Sequence, residues 1–280
     1  MQLQKKSLFL YLTKRIYIKY MRKITVLIAI VFLLTSCGTV PLTGRRQMLL
    51  ISDAELMTAS LSQYDDYMKT APLSTDRTAT ATVERVGKKI AEATEQYLKQ
   101  NGLERELANF QWDFKLVKDD QVNAFCMPGG KIVVFEGLLP LTASDDELAV
   151  VIGHEIGHAV AKHSNERMSQ EVVAQYGAAI LDAALSTKSS AIQTVGNTVF
   201  GLGAQVGVML PYSRQHEYEA DYLGMILMTL AGYNPESAIS FWQKMSANGS
   251  SGSDFLSTHP SDEKRIAELQ RRLPEMTKYK

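Results

Sequence analysis

The stretch SDDELAVVIGHEIGH at residues 144–158 decides the reading of this chain. Ser144 followed by Glu147 is a capping box, in which two side chains satisfy amides at the start of a helix. Leu148, Val151, Ile152 and Ile156 recur at helical spacing, and Val160 continues the stripe. The pattern predicts a largely buried helix. His154 and His158 lie four apart in it, close to one turn, so both imidazoles project from one face. Two such imidazoles can share a zinc ion. Glu155, beside the first, can handle a proton on a zinc-bound water. The pattern H-E-x-x-H therefore names a metal, a nucleophile and a reaction class together.

Catalytic zinc takes three protein ligands and keeps one position for water. The third ligand must come from elsewhere in the chain. Glu217-Tyr218-Glu219-Ala220-Asp221 is the candidate. It falls in a second predicted helix, capped near Ser213 and ended by Gly232. Tyr222, Met225, Ile226 and Thr229 form its apolar side. Glu217 and Asp221 share a face. One can bind zinc while the other accepts a hydrogen bond from a ligand histidine and fixes its tautomer. Spacing alone does not choose between them. Glu219 points elsewhere, towards solvent. His163 and His216 read as structural or solvated rather than metal-bound.

At 280 residues the chain is long enough for one or two domains. Its formal charge is zero, but the charges are unevenly placed. Residues 1–36 hold seven Lys and Arg and no Asp or Glu, which leaves 23 basic against 30 acidic residues in the rest. A mildly acidic body argues against nucleic acid as a partner. Met21-Arg22-Lys23, the apolar run Ile24 to Leu34, and Leu34-Thr35-Ser36-Cys37 read as an export signal that ends at a cysteine. Residues 1–20 precede that signal, and Met21 is a second candidate start. With Cys37 assigned to the signal, Cys126 is left alone and is expected to be buried.

Residues 38–75 read as a tether and lead-in, either a spacer or a segment packed across the catalytic domain. Within them Ser52-Asp53-Ala54-Glu55 starts a short helix. Residues 76–280 form the main domain. Val83, Val86, Ile90 and Tyr97 mark a helix over 78–99 that Asn101-Gly102 ends. Trp112 to Lys118, Asn123 to Cys126 and Lys131 to Phe135 read as three strands, with Pro128-Gly129-Gly130 as a turn. The fold class is α+β, mostly helical, with a small three-stranded sheet beside the motif helix. Residues 191–210, rich in Gly, Ala and Val, read as a buried helix rather than a membrane span.

Several motifs in order resemble the zinc metallopeptidases grouped with the CAAX prenyl protease, the heat-shock protease HtpX, the mitochondrial protease Oma and periplasmic BepA-like lipoprotein proteases. They are Thr43-Gly44-Arg45-Arg46-Gln47, Asn123-Ala124-Phe125 with Pro128-Gly129-Gly130, His154 to His158, Glu217 to Asp221, and Thr258-His259-Pro260 with Arg265. The resemblance runs from about Pro41 to Arg265. It implies a zincin-like domain holding one Zn2+ through His154, His158 and Glu217, with Asp221 bracing a ligand. In this scheme Glu155 takes a proton from the zinc-bound water, whose pKa falls to roughly 7, and passes it to the leaving amine. The resemblance places His259 and Arg265 near the zinc, which suggests that they stabilise the oxyanion. A rival reading makes His259 a fourth ligand that blocks the site. A third leaves a helix-start turn with Arg265 in a surface ion pair.

Lys131, Ile132, Val133, Val134 and Phe135 read as the substrate-binding strand, an exposed sheet edge for an extended chain. The cysteine ending resembles a bacterial lipobox, which implies lipidation at Cys37. The expected protein is thus a lipid-anchored, periplasm-facing zinc endopeptidase of a bacterial envelope, on the outer membrane in preference to the inner. Its substrates would be misfolded or immature envelope proteins. The alternative is a chaperone or assembly factor working with the outer-membrane assembly machinery, with proteolysis secondary. True CAAX processing is disfavoured, because membrane-spanning helices are missing.

Overall fold

The computed structural model describes residues 37–183, 213–248 and 263–280, with the single positions Tyr17, Phe255 and His259. The stretch read as an export signal, up to Ser36, and the 191–210 segment lie outside the described residues. The first described stretch opens with a hairpin of β1 (Cys37–Thr39) and β2 (Arg46–Met48). Helix α1 (Asp53–Met68) follows, then α2 (Arg77–Gln100). Ser52 and Glu55 form a complete capping box, and α1 runs for 16 residues rather than the short helix expected. Helix α2 is capped by Asp76 and ends at Asn101, with Gly102 at φ 71°.

A three-stranded sheet comes next: β3 (Asp113–Val117), β4 (Ala124–Met127) and β5 (Lys131–Phe135). Its order is β3-β5-β4, with β3 parallel and β4 antiparallel to β5. The expected substrate ledge, Lys131 to Phe135, is therefore the central strand. Its backbone groups are taken up by neighbours on both sides, so it offers no free edge. The outer edge of β3 is covered by residues 72–74, where the Ser74 amide donates to Leu116 O at 2.9 Å and that of Lys118 to Pro72 O at 2.7 Å. Among the described residues no strand pairs with the outer edge of β4.

Helix α3 (Asp145–Val160) carries the two histidines. The Ser144 side chain accepts from the Glu147 amide at 3.2 Å. Glu147 reaches back to the Ala143 amide at 2.9 Å, one residue beyond the expected box. Helices α4 (His163–Ala183), α5 (Arg214–Leu230), α6 (Ser237–Asn248) and α7 (Glu263–Arg272) complete the described α-helices. Helix α5 begins at its cap Ser213 and ends before Gly232, as its sequence predicts. One apolar core joins α2, the inner face of the sheet, α3, α5 and α6, through Val86, Ile90, Phe114, Ile132, Ile152, Ile156, Ile226 and Phe241.

Helices α3 and α5 touch backbone to backbone. A Cβ at Gly157 would lie 2.7 Å from Ala220 O, and one at Gly224 would lie 2.9 Å from the His154 amide nitrogen. Glycine costs about 0.5–1 kcal/mol in a helix interior, so its presence here needs a packing reason. The reason is that any side chain would hold the helices apart. Gly157→Ala is therefore expected to destabilise the fold by about 1–3 kcal/mol, the usual cost of overpacking, despite alanine's better helix propensity. Thermal unfolding should show a midpoint lowered by roughly 2–4 °C for each kcal/mol. A midpoint at or above that of the unaltered protein would show that the contact imposes no constraint.

Candidate metal centre

The α3–α5 contact decides which side chains meet. His154 and His158 face Glu217, which occupies the first turn of α5. Their Nε2 atoms lie 3.0 Å apart, and each is 3.4 Å from one Glu217 carboxylate oxygen. His259 adds Nδ1 at 3.2 Å from Glu217 Oε1 and 3.2 Å from His154 Nε2. The ligand atoms of all four residues lie within 4.8 Å of one another, and all four residues are buried. Four donors at about 2.1 Å from one zinc in tetrahedral geometry would be spaced by roughly 3.4 Å. The observed spacings match that requirement, and the nitrogen and carboxylate donors match the metal. Glu155 Oε1 is buried without a hydrogen-bond partner and lies 3.5 Å from His259 Nε2. The residues present therefore fit a zinc ion with a buried carboxylate beside it.

The donor cluster is held from behind. His154 Nδ1 lies 2.9 Å from Asp221 Oδ1, so the imidazole donates there and turns its Nε2 lone pair towards the cluster. Arg265 is fully buried and holds Asp221 through Nε and Nη2, the latter at 2.8 Å. Its Nη1 lies 3.1 Å from Glu217 Oε2 and donates to His259 O at 3.3 Å. Its guanidinium carbon sits 3.5 Å from the Trp242 ring centroid. The surface ion pair considered for Arg265 is thus ruled out by its burial. Trp242 and Phe255, which the sequence did not single out, wall the site. Phe255 stacks on His259 at 4.5 Å and on Trp242 at 5.7 Å.

Burial and charge pull these groups apart in proton affinity. Burial lowers His154, but hydrogen bonds to Asp221 and Glu217 outweigh it and raise the pKa to about 9. His158 is lowered, chiefly by burial. Glu217 and Asp221 are lowered although burial opposes it, because His259 and Arg265 offset burial at Glu217, and Arg265 does so at Asp221. Glu155 is raised, with burial dominant. Cys126 is buried in β4 as expected, and its thiol is raised by burial and then by the Glu155 carboxylate.

Glu219 departs from its expected solvent position. It is buried and pairs with His163 at 3.1 Å and with Arg45 at 2.5 Å. His163 and His216 are buried and stack at 4.4 Å. Sequence spacing pointed Glu219 away from the zinc face correctly, but gave no sign that residues 38–48 would cover that side. The one available signal was Arg45 within the Thr43 to Gln47 motif.

Comparison with known proteins matches residues 78–273 to peptidase family M48. Mitochondrial metalloendopeptidase OMA1 of Schizosaccharomyces pombe is 33% identical over 262 residues, which is 88% of this chain and 69% of that protein. Metalloendopeptidase OMA1 of Homo sapiens, also mitochondrial, is 27% identical over 264 residues, 91% of this chain but 49% of that protein. Beta-barrel assembly-enhancing protease of Yersinia pestis is 30% identical over 169 residues, 58% of this chain and 35% of that protein. The chain thus spans about half of the human relative's length.

The relatives that cover most of the chain are mitochondrial proteins of eukaryotes. They overturn the placement of this protein in a bacterial envelope, lipid-anchored and facing the periplasm. A basic leader free of acidic residues is also a feature of organelle-targeting segments, so residues 1–36 did not separate the two. The family match takes in the whole of α3 and α5, and with them His154, Glu155, His158 and Glu217: the chain belongs to peptidase family M48 and is a zinc metalloendopeptidase.

Proposed function

We propose that this protein hydrolyses internal peptide bonds of unfolded or immature polypeptides, as a step in protein quality control, with Glu155 as general base. The observation that carries this reading is the Glu155 carboxylate oxygen, buried without a hydrogen-bond partner at the edge of the donor cluster. Bound zinc supplies Lewis acidity towards a water and a peptide carbonyl. His154, His158 and Glu217 hold it. Glu155, raised by burial, accepts a proton and returns it to the leaving amine. Asp221 orients His154. Arg265 is a positioning residue rather than an oxyanion donor, because its nitrogens are turned to Asp221, Glu217 and His259 O.

The substrate edge is assigned to β4 in place of β5. The Phe135 amide donates to Asn123 O, so Asn123, Phe125 and Met127 face β5. By the alternation of an antiparallel pair, Ala124 and Cys126 turn their backbone groups outward. A cleft beside this strand, of about 470 Å³ including its open mouth, is lined by Leu56, Met57, Phe110, Cys126, Met127 and His158. Backbone pairing along β4 reads main chain more than side chains, which suits unfolded substrates. A second reading, an assembly factor in which cleavage is secondary, draws on the Beta-barrel assembly-enhancing protease relatives and on the same outer edge of β4.

The zinc-loaded Glu155→Gln protein is expected to lose about 10²–10⁴-fold in casein hydrolysis, the range of general-base catalysis, while keeping its zinc. Unchanged turnover would remove Glu155 from the mechanism. Rescue of a deletion strain by Glu155→Gln as complete as that by the unaltered gene would favour the assembly reading over cleavage.

His259 is assigned the fourth donor position of the cluster in preference to oxyanion stabilisation, since its Nδ1 is as close to Glu217 and His154 as those ligands are to one another. His259→Ala should then bind zinc less tightly and turn over peptide faster. A loss of kcat with unchanged zinc affinity would return His259 to the oxyanion role.

A further inference from the structure

Zinc-ligating histidines usually donate their second nitrogen to a carboxylate, a backbone carbonyl or water. His154 follows that rule through Asp221. His158 Nδ1 lies 2.9 Å from Nδ1 of another histidine, His163. His163 Nε2 lies 3.1 Å from Glu219 Oε2, and that same oxygen accepts from Arg45 Nε at 2.5 Å. With Glu219 ionised and both histidines neutral, one placement of protons satisfies the chain. His163 Nε2–H donates to Glu219. His163 Nδ1 is then an acceptor, His158 Nδ1–H donates to it, and His158 Nε2 is left with the lone pair a metal needs.

Arg45 comes from the β1–β2 hairpin, outside the region matched to the peptidase family. The hairpin is built to present it. The turn from Val40 to Arg45 closes through the Val40 amide to Arg45 O at 2.8 Å, with Leu42 held at φ 67° and Gly44 at φ 69°. A leucine in that region is strained, and the surrounding contacts must hold it there. Val40 is buried against Ala161 and Leu223, which fixes the hairpin to the C-terminal end of α3 and the middle of α5. Thr43 Oγ1 donates to Glu219 Oε1. The Arg45 fork grips Glu166 at 2.9 and 2.5 Å, and Glu166 accepts from His216 at 3.0 Å. Two buried carboxylates on α4 and α5 are thereby locked around one guanidinium.

We propose that the β1–β2 hairpin is part of the zinc site: Arg45, through Glu219 and His163, fixes the tautomer and orientation of His158, and is a positioning residue for the metal. The inference rests on the reading of His158 as a ligand. It makes the segment before α1 a working part of the enzyme. A chain trimmed to the family-matched region would lack the anchor of one ligand.

The test is zinc affinity of the full-length protein, measured by competition with a chromophoric chelator, with melting of the zinc-free form recorded for each variant. Arg45→Met and His163→Phe are expected to weaken zinc binding by about 10–100-fold, the usual cost of losing support behind a ligand. His163→Gln should recover most of the loss, because an amide can accept from His158 and donate to Glu219. Arg45→Lys should fall between, keeping the charge without the fork. In ¹⁵N spectra of the zinc-free protein, His158 should carry its proton on Nδ1, and Arg45→Met should disturb that assignment. His158→Ala separates the two layers: undiminished zinc affinity in it would defeat the ligand reading itself. Should His158→Ala lose zinc while Arg45→Met keeps both the affinity and the His158 tautomer, the relay is wrong, whatever happens to the melting temperature. If Arg45→Met does not fold, equal affinity in His163→Phe and His163→Gln overturns the proposal.

Discussion

The α3–α5 backbone contact is the constraint on which the rest of this structure depends. Gly157 and Gly224 let the two helices meet without side chains between them. Only at that distance can Glu217 on α5 reach the imidazoles of His154 and His158 on α3. The same approach brings Asp221, one turn further along α5, behind His154. Bulk added at the crossing would therefore separate the ligands as well as loosen the core.

Charge is the second organising fact. Glu155, Glu217 and Asp221 are buried together, with one buried guanidinium, Arg265, among them. An uncompensated buried charge costs several kcal/mol. A divalent cation among the donors would balance the group, so the electrostatics of the site and the chemistry of its ligands ask for the same ion. Arg265 is better understood in that light. It lies behind the ligands, stacked on Trp242, and neutralises the two carboxylates that must stay ionised.

Much of the site was legible in the sequence because it is encoded locally. A four-residue spacing in one helix fixes His154 and His158 on one face whatever surrounds them. The same rule placed Glu217 and Asp221 together, and the caps at Ser144 and Ser213 set where both helices start. The β1–β2 hairpin was not legible, since strands of three residues are too short to show alternation. The three strands of the sheet were legible as strands. Their order was not, because alternation says nothing about which strand lies between two others. That is why Lys131 to Phe135 reads as a ledge and yet stands at the centre of the sheet. Glu219 shows a related limit. Helical geometry turned it away from the metal, but what it meets there comes from a hairpin far away in the chain.

By itself the sequence determined the helices that carry His154 and Glu217, the metal-binding pattern and the family, since each depends on residues a few positions apart or on motifs in linear order. The tertiary structure decided the rest. It set the close crossing that assembles the donor cluster, the order of the three strands, the burial of Arg265, and the approach of Arg45 to Glu219. Those features depend on which distant surfaces pack together, and pairwise packing at long range leaves no periodic trace in the chain.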